Sequence, residues 1–140
     1  MKYKNLKNSI KEHEGFRLEP YYCTENHLTG GFGHKIIDGE EVPTTKEGWE
    51  ELFDKDFDKA LNGAKSLVSE EELDPTAFDV VVEMVYQMGT TGVSKFKNMI
   101  KALGKKDYMD AGWEMMDSKW ARQTPRRAEE LSLRMRTIST

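Results

Sequence analysis

Tyr3, Leu6 and Ile10 recur at helical spacing, so the chain opens on an amphipathic helix that ends near Glu14–Gly15. The period then changes. Phe16 to Tyr22 and Leu28 to Ile37 are aromatic- and glycine-bearing runs on either side of Glu25–Asn26, the pattern of a β-hairpin, and Asp38–Gly39 offers a tight turn. From Thr44 the helical period returns. Thr44-Thr45-Lys46-Glu47 carries a capping-box pattern, and Trp49, Leu52, Phe53, Phe57, Ala60 and Leu61 share one side of a helix running to about Asn62. Pro75 starts a segment with a nearly all-apolar middle, Ala77 to Val85, as expected of a helix buried on most sides. Gly89-Thr90-Thr91-Gly92 breaks it. Phe96, Met99, Ile100 and Leu103 form the next stripe, closed by Gly104, and Tyr108 to Met116 gives a further short helix. Thr124-Pro125 is an N-cap and first-turn pair for the last one.

These elements predict an α+β fold, mainly helical, in one domain over residues 1–140. A small hairpin lobe spans about 14–44, a joining helix about 45–62, and a helical lobe takes 63–140 together with 1–13. A ligand would usually sit in a cleft between two such lobes.

Composition narrows the chemistry. A chain of 140 residues buries roughly 68–70% of its unfolded surface, enough to fold without a disulfide or a metal. Its single cysteine excludes an intramolecular disulfide, and no Cys/His cluster has zinc-ligand spacing. The formal net charge of −4 argues against a nucleic-acid partner, which normally needs a basic face. The lysine-bearing N-terminus has no apolar run, so neither a signal segment nor stable membrane association is expected.

Glu14 stands where helix gives way to hairpin, a junction that partly desolvates a carboxyl group and makes it a candidate proton donor. On position alone an ordinary helix-end glutamate is the commoner case. Eight residues separate Glu14 from Cys23 and five separate Cys23 from Thr29, and a tight hairpin turns all three toward one place. Taken singly, Cys23 reads as a small buried hydrophobe and Thr29 as a β-branched strand residue.

The run His13-Glu14-Gly15-Phe16-Arg17-Leu18, then Cys23, then Thr29-Gly30-Gly31-Phe32-Gly33-His34 resembles the active-site segment of the phage lysozymes, a family of glycoside hydrolases. Met84-Val85-Tyr86-Gln87-Met88-Gly89 and Trp120 to Ala128, through Gln123-Thr124-Pro125, are similar to segments of that family's helical lobe. Thr45-Lys46-Glu47 with Leu52-Phe53 and Asp56 is similar to the start of its joining helix.

The resemblance implies a lysozyme-like fold, no cofactor or metal, and a monomer acting on peptidoglycan. It implies Glu14 as general acid and Thr29 as the residue that helps place the attacking water. Cys23 stands where better-known members carry aspartate. A thiol is neutral below about 8.5 unless its surroundings lower that value, so Cys23 is open as thiolate base, nucleophile or water-holding thiol. Tyr86 and Gln87 match positions that line the sugar site, and Lys35 replaces an apolar residue at its rim. Arg127 matches an arginine that approaches the catalytic glutamate. His34 and Asp56 match a structural pair tying the hairpin to the joining helix. The segment from Ile37 to Thr44 is too short for a helix that fuller members carry there, so the small lobe is reduced to little more than the hairpin. Met99 and Glu114 replace small polar residues near the substrate peptide.

The activity so implied is a muramidase that hydrolyses the β-1,4 bond after N-acetylmuramic acid and lyses a bacterial host. A lytic transglycosylase using Glu14 alone is the enzymatic alternative, and a non-catalytic peptidoglycan-binding module the other. The same resemblance places the protein in the host cytoplasm until a separate membrane pore lets it reach the wall.

Overall fold

The computed structural model describes residues 2–23 and 26–139, and among these are seven helices and a three-stranded sheet. The chain divides into two compact units, Met1–Lys59 and Ala60–Thr140. No helix among the described residues is long and apolar enough to cross a membrane.

In the first unit, α1 (Lys4–Glu14) stops where Gly15 turns to φ 72° with its N–H on the Lys11 carbonyl. β1 (Arg17–Tyr22) pairs antiparallel with β2 (Leu28–Gly31), which pairs antiparallel with β3 (His34–Lys35). The run Leu28 to Ile37 is therefore two strands rather than one hairpin arm. Gly31 and Gly33, at φ 57° and 77°, reverse the chain around Phe32. The register of β1 slips between Arg17 and Tyr21, and Pro20, which has no N–H to give a ladder, lies in that irregular stretch. The turn expected at Glu25–Asn26 falls partly outside the described residues; Asn26 itself adopts φ 64°. No helix forms between Ile37 and Thr44, and the small lobe is the sheet alone.

α2 (Lys46–Leu67) begins at Thr45, not Thr44. The Thr45 hydroxyl oxygen accepts the Gly48 N–H at 3.1 Å, so the capping position is one residue later than the Thr44–Glu47 pattern and lacks the reciprocal glutamate. The helix also runs past Asn62. Ala60, Leu61 and Ala64 are all buried, and tertiary packing of that face outweighs the local stop signal of Asn62-Gly63. Trp49, Phe53 and Phe57 on its first turns are fully buried, each contributing about 2–3 kcal/mol. Phe16, Phe32, Phe53 and Phe57 form a chain of rings with centroids 5.0, 5.5 and 6.3 Å apart, and Tyr3 closes it 5.8 Å from Phe57. These rings fasten the sheet to α2.

The second unit continues with α3 (Pro75–Ser94), α4 (Lys97–Gly104), α5 (Tyr108–Met116), α6 (Lys119–Gln123) and α7 (Pro125–Arg136). Asp74 caps α3 through the Thr76 N–H at 2.8 Å, with Pro75 in the first turn. Val80, Val81, Val82 and Met84 are fully buried, as an apolar helix middle requires. Gly89 kinks α3 at φ 82°, ψ 162°, but the helix resumes and ends only at Ser94. α7 packs on α3, α5 and α6. Thr124 does not cap α7 with its side chain; its hydroxyl donates to the Trp120 carbonyl at 2.9 Å. Pro125 does occupy the first turn.

Candidate active site

The geometry around Glu14 is set by small residues. Gly33 has φ 77°, and a Cβ there would stand 3.0 Å from Glu14 Cδ, 3.3 Å from Cγ and closer still to Oε1. The Glu14 carboxyl therefore rests directly on the backbone of the β2–β3 turn. Just before it, Gly30 and Gly31 leave room for the Trp49 indole. Its ring carbons lie 2.6 and 2.8 Å from where a Gly30 Cβ would be, and the ring presses on Gly31 as well. Trp49 Nε1 donates to the Leu18 carbonyl at 2.9 Å, tying α2 to β1 beneath the sheet. Each glycine of Thr29-Gly30-Gly31-Phe32-Gly33 thus admits a neighbour that a side chain would exclude.

Thr29 lies on β2 opposite Tyr21 of β1 and Lys35 of β3. It is buried, and its hydroxyl donates to the His27 carbonyl at 3.0 Å. With its proton committed there, the oxygen keeps lone pairs for a donor such as water. Cys23 follows β1; its N–H donates to the His27 carbonyl at 2.9 Å and its carbonyl accepts the Asn26 N–H at 2.8 Å. That register makes Cys23 and Thr29 diagonal neighbours on one face of the hairpin. Lys35 is exposed beside Thr29 on the same face, because paired residues of adjacent strands point to the same side. Arg17 stacks on the Tyr21 ring, 4.7 Å from its centroid.

His34 meets Asp56 of α2, Nδ1 to Oδ2 at 2.6 Å. A second carboxylate, which sequence reasoning missed, occupies its other nitrogen: Glu40 Oε2 lies 2.8 Å from Nε2. The hydrogen bond to Asp56 outweighs burial and, helped by Glu40, holds the imidazole above its ordinary 6.5. Burial works against the Glu40 carboxylate, yet the Ile37 N–H and His34 together hold its carboxyl below the usual glutamate value of 4.5. Glu40 sits just past the Asp38–Gly39 turn, the one local signal that its side chain folds back on the preceding strand.

In the second unit, Tyr86 and Gln87 are half-buried on α3 just before the Gly89 kink. The Gln87 amide oxygen is buried and accepts no hydrogen bond among the described residues. Arg127, at the start of α7, has its guanidinium 3.6 Å from Glu83. Glu83 is fully buried within the apolar middle of α3, where it also receives Arg134 at 2.9 Å. Sequence reading passed over this glutamate; its signal was a lone charge in an apolar run. Met99 is likewise fully buried, as its place in the stripe of Phe96, Met99, Ile100 and Leu103 requires. Among the described residues no group of three or more His, Cys, Asp or Glu side chains is arranged to hold a metal ion.

Over most of its length the chain is similar to known proteins. The chain is 33% identical to a probable T4-type lysozyme 2 of Dictyostelium discoideum, an alignment covering 91% of each chain. It is 29% identical to the probable T4-type lysozyme 1 of the same organism, again over 91% of both. A peptidoglycan hydrolase gp36 of Pseudomonas phage phiKMV is 29% identical over 94% of this chain, which corresponds to 15% of that longer protein. The family model for phage lysozyme matches residues 11–137, nearly the whole chain, and with Glu14, Thr29 and the glycine turn inside that span the protein belongs to the phage lysozyme family and is a glycoside hydrolase of the lysozyme type.

Proposed function

We propose that this enzyme is a muramidase that hydrolyses the β-1,4 bond between N-acetylmuramic acid and N-acetylglucosamine in bacterial peptidoglycan. The observation that carries the reading is the Glu14 carboxyl seated on Gly33 at the end of α1, with Thr29 on the strand that leads into that turn. Glycoside hydrolysis needs a proton donor on one side of the scissile bond and an activated water, or a nucleophile, on the other.

In the proposed reaction Glu14 gives its proton to the departing sugar oxygen as the bond to the anomeric carbon breaks. A water donates one hydrogen bond to the Thr29 oxygen and its second proton to the Cys23 thiolate, and its oxygen attacks the anomeric carbon. The configuration inverts. Lys35, exposed beside Thr29, contacts the substrate. Tyr86 offers an aromatic face to a sugar ring, and the open Gln87 oxygen suits the N–H of an acetamido group. Delivered to the wall, such an activity lyses a bacterial cell. The gp36 relative, itself named a peptidoglycan hydrolase, supports the choice of substrate.

The deciding comparison is turbidity clearing of chloroform-treated Gram-negative cells by the wild type and by Glu14→Gln. The variant is expected to lose all clearing while keeping its far-ultraviolet circular dichroism; a clearing variant overturns the role of Glu14. Mass spectrometry of the released fragments is expected to find reducing ends. Anhydro ends would show transglycosylation instead, and a Cys23–sugar thioether or a first product of retained configuration would make Cys23 a nucleophile.

A further inference from the structure

Glu40 does more than neutralise charge near His34. Its Oε2 faces His34 Nε2 at 2.8 Å while its Oε1 accepts the Ile37 N–H at 3.1 Å, so one carboxylate bridges β3 and the turn that follows it. On the far side of the ring, Nδ1 meets Asp56 at 2.6 Å. An imidazole can donate from both nitrogens only as the imidazolium, and here both nitrogens face carboxylates. His34 directly follows Gly33, and Gly33 is the residue on which the Glu14 carboxyl rests. Movement of the His34 ring is therefore movement of the platform under Glu14.

We infer that Glu40 is a positioning residue for the reaction: it holds His34 from the side opposite Asp56, fixes the Phe32–Gly33 turn, and so fixes the Glu14 carboxyl. The inference rests on Glu14 being the proton donor. The charged groups acting on the clamp are Asp56 and Lys59 of α2 and Glu40 itself, and the Lys59 charge favours the Glu40 carboxylate. Trp49, 6.3 Å away, presents a neutral ring to His34. When His34 loses its proton, one nitrogen meets a carboxylate lone pair to lone pair, and that side of the clamp opens. The direction of the His34 shift, upward, keeps the clamp closed to higher pH than an ordinary imidazole would.

The test is Glu40→Gln, which keeps one acceptor oxygen of the two that Ile37 and His34 share, puts an N–H donor in place of the other, and removes the charge. Its kcat and KM on purified peptidoglycan are followed from about pH 5 to about pH 9, beside the titration of the His34 ring by NMR. The His34 midpoint is expected to fall, the alkaline limb of kcat to move toward acid by the same interval, and KM to stay within about twofold. Glu40→Asp, which restores the charge, is expected to return much of the limb. An unmoved kcat limb with a shifted His34 midpoint overturns the inference, and so does an unmoved midpoint. If Glu14→Gln remains active, the proton-donor reading fails and the inference with it. The His34 shift in Glu40→Gln would still be visible, so the two failures are distinguishable.

Discussion

Replacing Gly33 by alanine separates the two jobs that residue performs. At φ 77° a side chain costs roughly 1–2 kcal/mol, because Cβ crowds the following carbonyl. The new Cβ would also stand within 3.0 Å of Glu14 Cδ, inside ordinary van der Waals contact, so the carboxyl must retreat by roughly an ångström. That retreat is cheap in stability, since the obstacle is the far end of a flexible side chain. It is expensive in catalysis: a displacement of about 1 Å at a reacting group costs on the order of a hundredfold, or about 2.7 kcal/mol of barrier. A domain of this size is stable by about 5–15 kcal/mol, so a loss of about 1–2 leaves the variant folded at assay temperature. Gly39→Ala is the control. Gly39 has φ 80° with no atom within 4 Å of where a Cβ would be, so the substitution carries the backbone cost without touching Glu14. Urea unfolding of the two variants is expected to show similar destabilisation. Initial rates of peptidoglycan solubilisation are expected to fall about a hundredfold for Gly33→Ala and no more than severalfold for Gly39→Ala. Equal activity in the two folded variants would refute the claim that the turn seats the catalytic carboxyl.

The clamp also predicts how stability follows pH. His34 is held above 6.5, so its stabilisation is complete below that value and is lost as pH rises through the folded-state value; Glu40 is held below 4.5, so its share is complete above 4.5 and lost as pH falls through its own. Urea midpoints measured across pH are expected to plateau between these limits, and His34→Gln is expected to flatten the alkaline decline; an unchanged decline in that variant would place its origin elsewhere. In the second unit, Glu83→Gln removes the buried charge that faces both Arg127 and Arg134. Because the Arg134 side chain is one-third exposed, the cost is expected at the low end for a broken buried pair, about 3 kcal/mol by urea unfolding, and a loss under about 1 kcal/mol would count against the network.

What the sequence made legible was whatever repeats with a period or sits at a fixed spacing. Helix starts at Pro75 and Pro125 and the buried middle of α3 are local facts, and the structure keeps them in place; the eight- and five-residue intervals from Glu14 through Cys23 to Thr29 are read from the sequence itself. Glu40 was invisible for the opposite reason. Glu40 and Asp56 lie 6 and 22 residues from His34 along the chain yet take the two nitrogens of one ring, an approach that no sequence period announces. Glu83 was hidden by an averaging argument, since one charge in an apolar run barely alters its periodicity, while its partners Arg127 and Arg134 stand on a different helix, α7.

The glycines show where these two kinds of information meet. Gly30, Gly31 and Gly33 are close in sequence, and the sequence pattern runs them together in one hairpin arm. The structure gives them different neighbours: the Trp49 ring for the first two and the Glu14 carboxyl for the third. Gly31 and Gly33 share positive φ, so backbone strain does not distinguish them; what they touch does. A side chain at Gly31 meets the fully buried indole that anchors α2 to β1, and its cost falls on folding. A side chain at Gly33 meets a carboxyl group that can move, and on the proposed role of Glu14 its cost falls on the reaction. With Glu14 as the proposed proton donor, stability and catalysis fall on the same short turn two residues apart, and a measurement that reads only one of them would take both glycines for the same requirement.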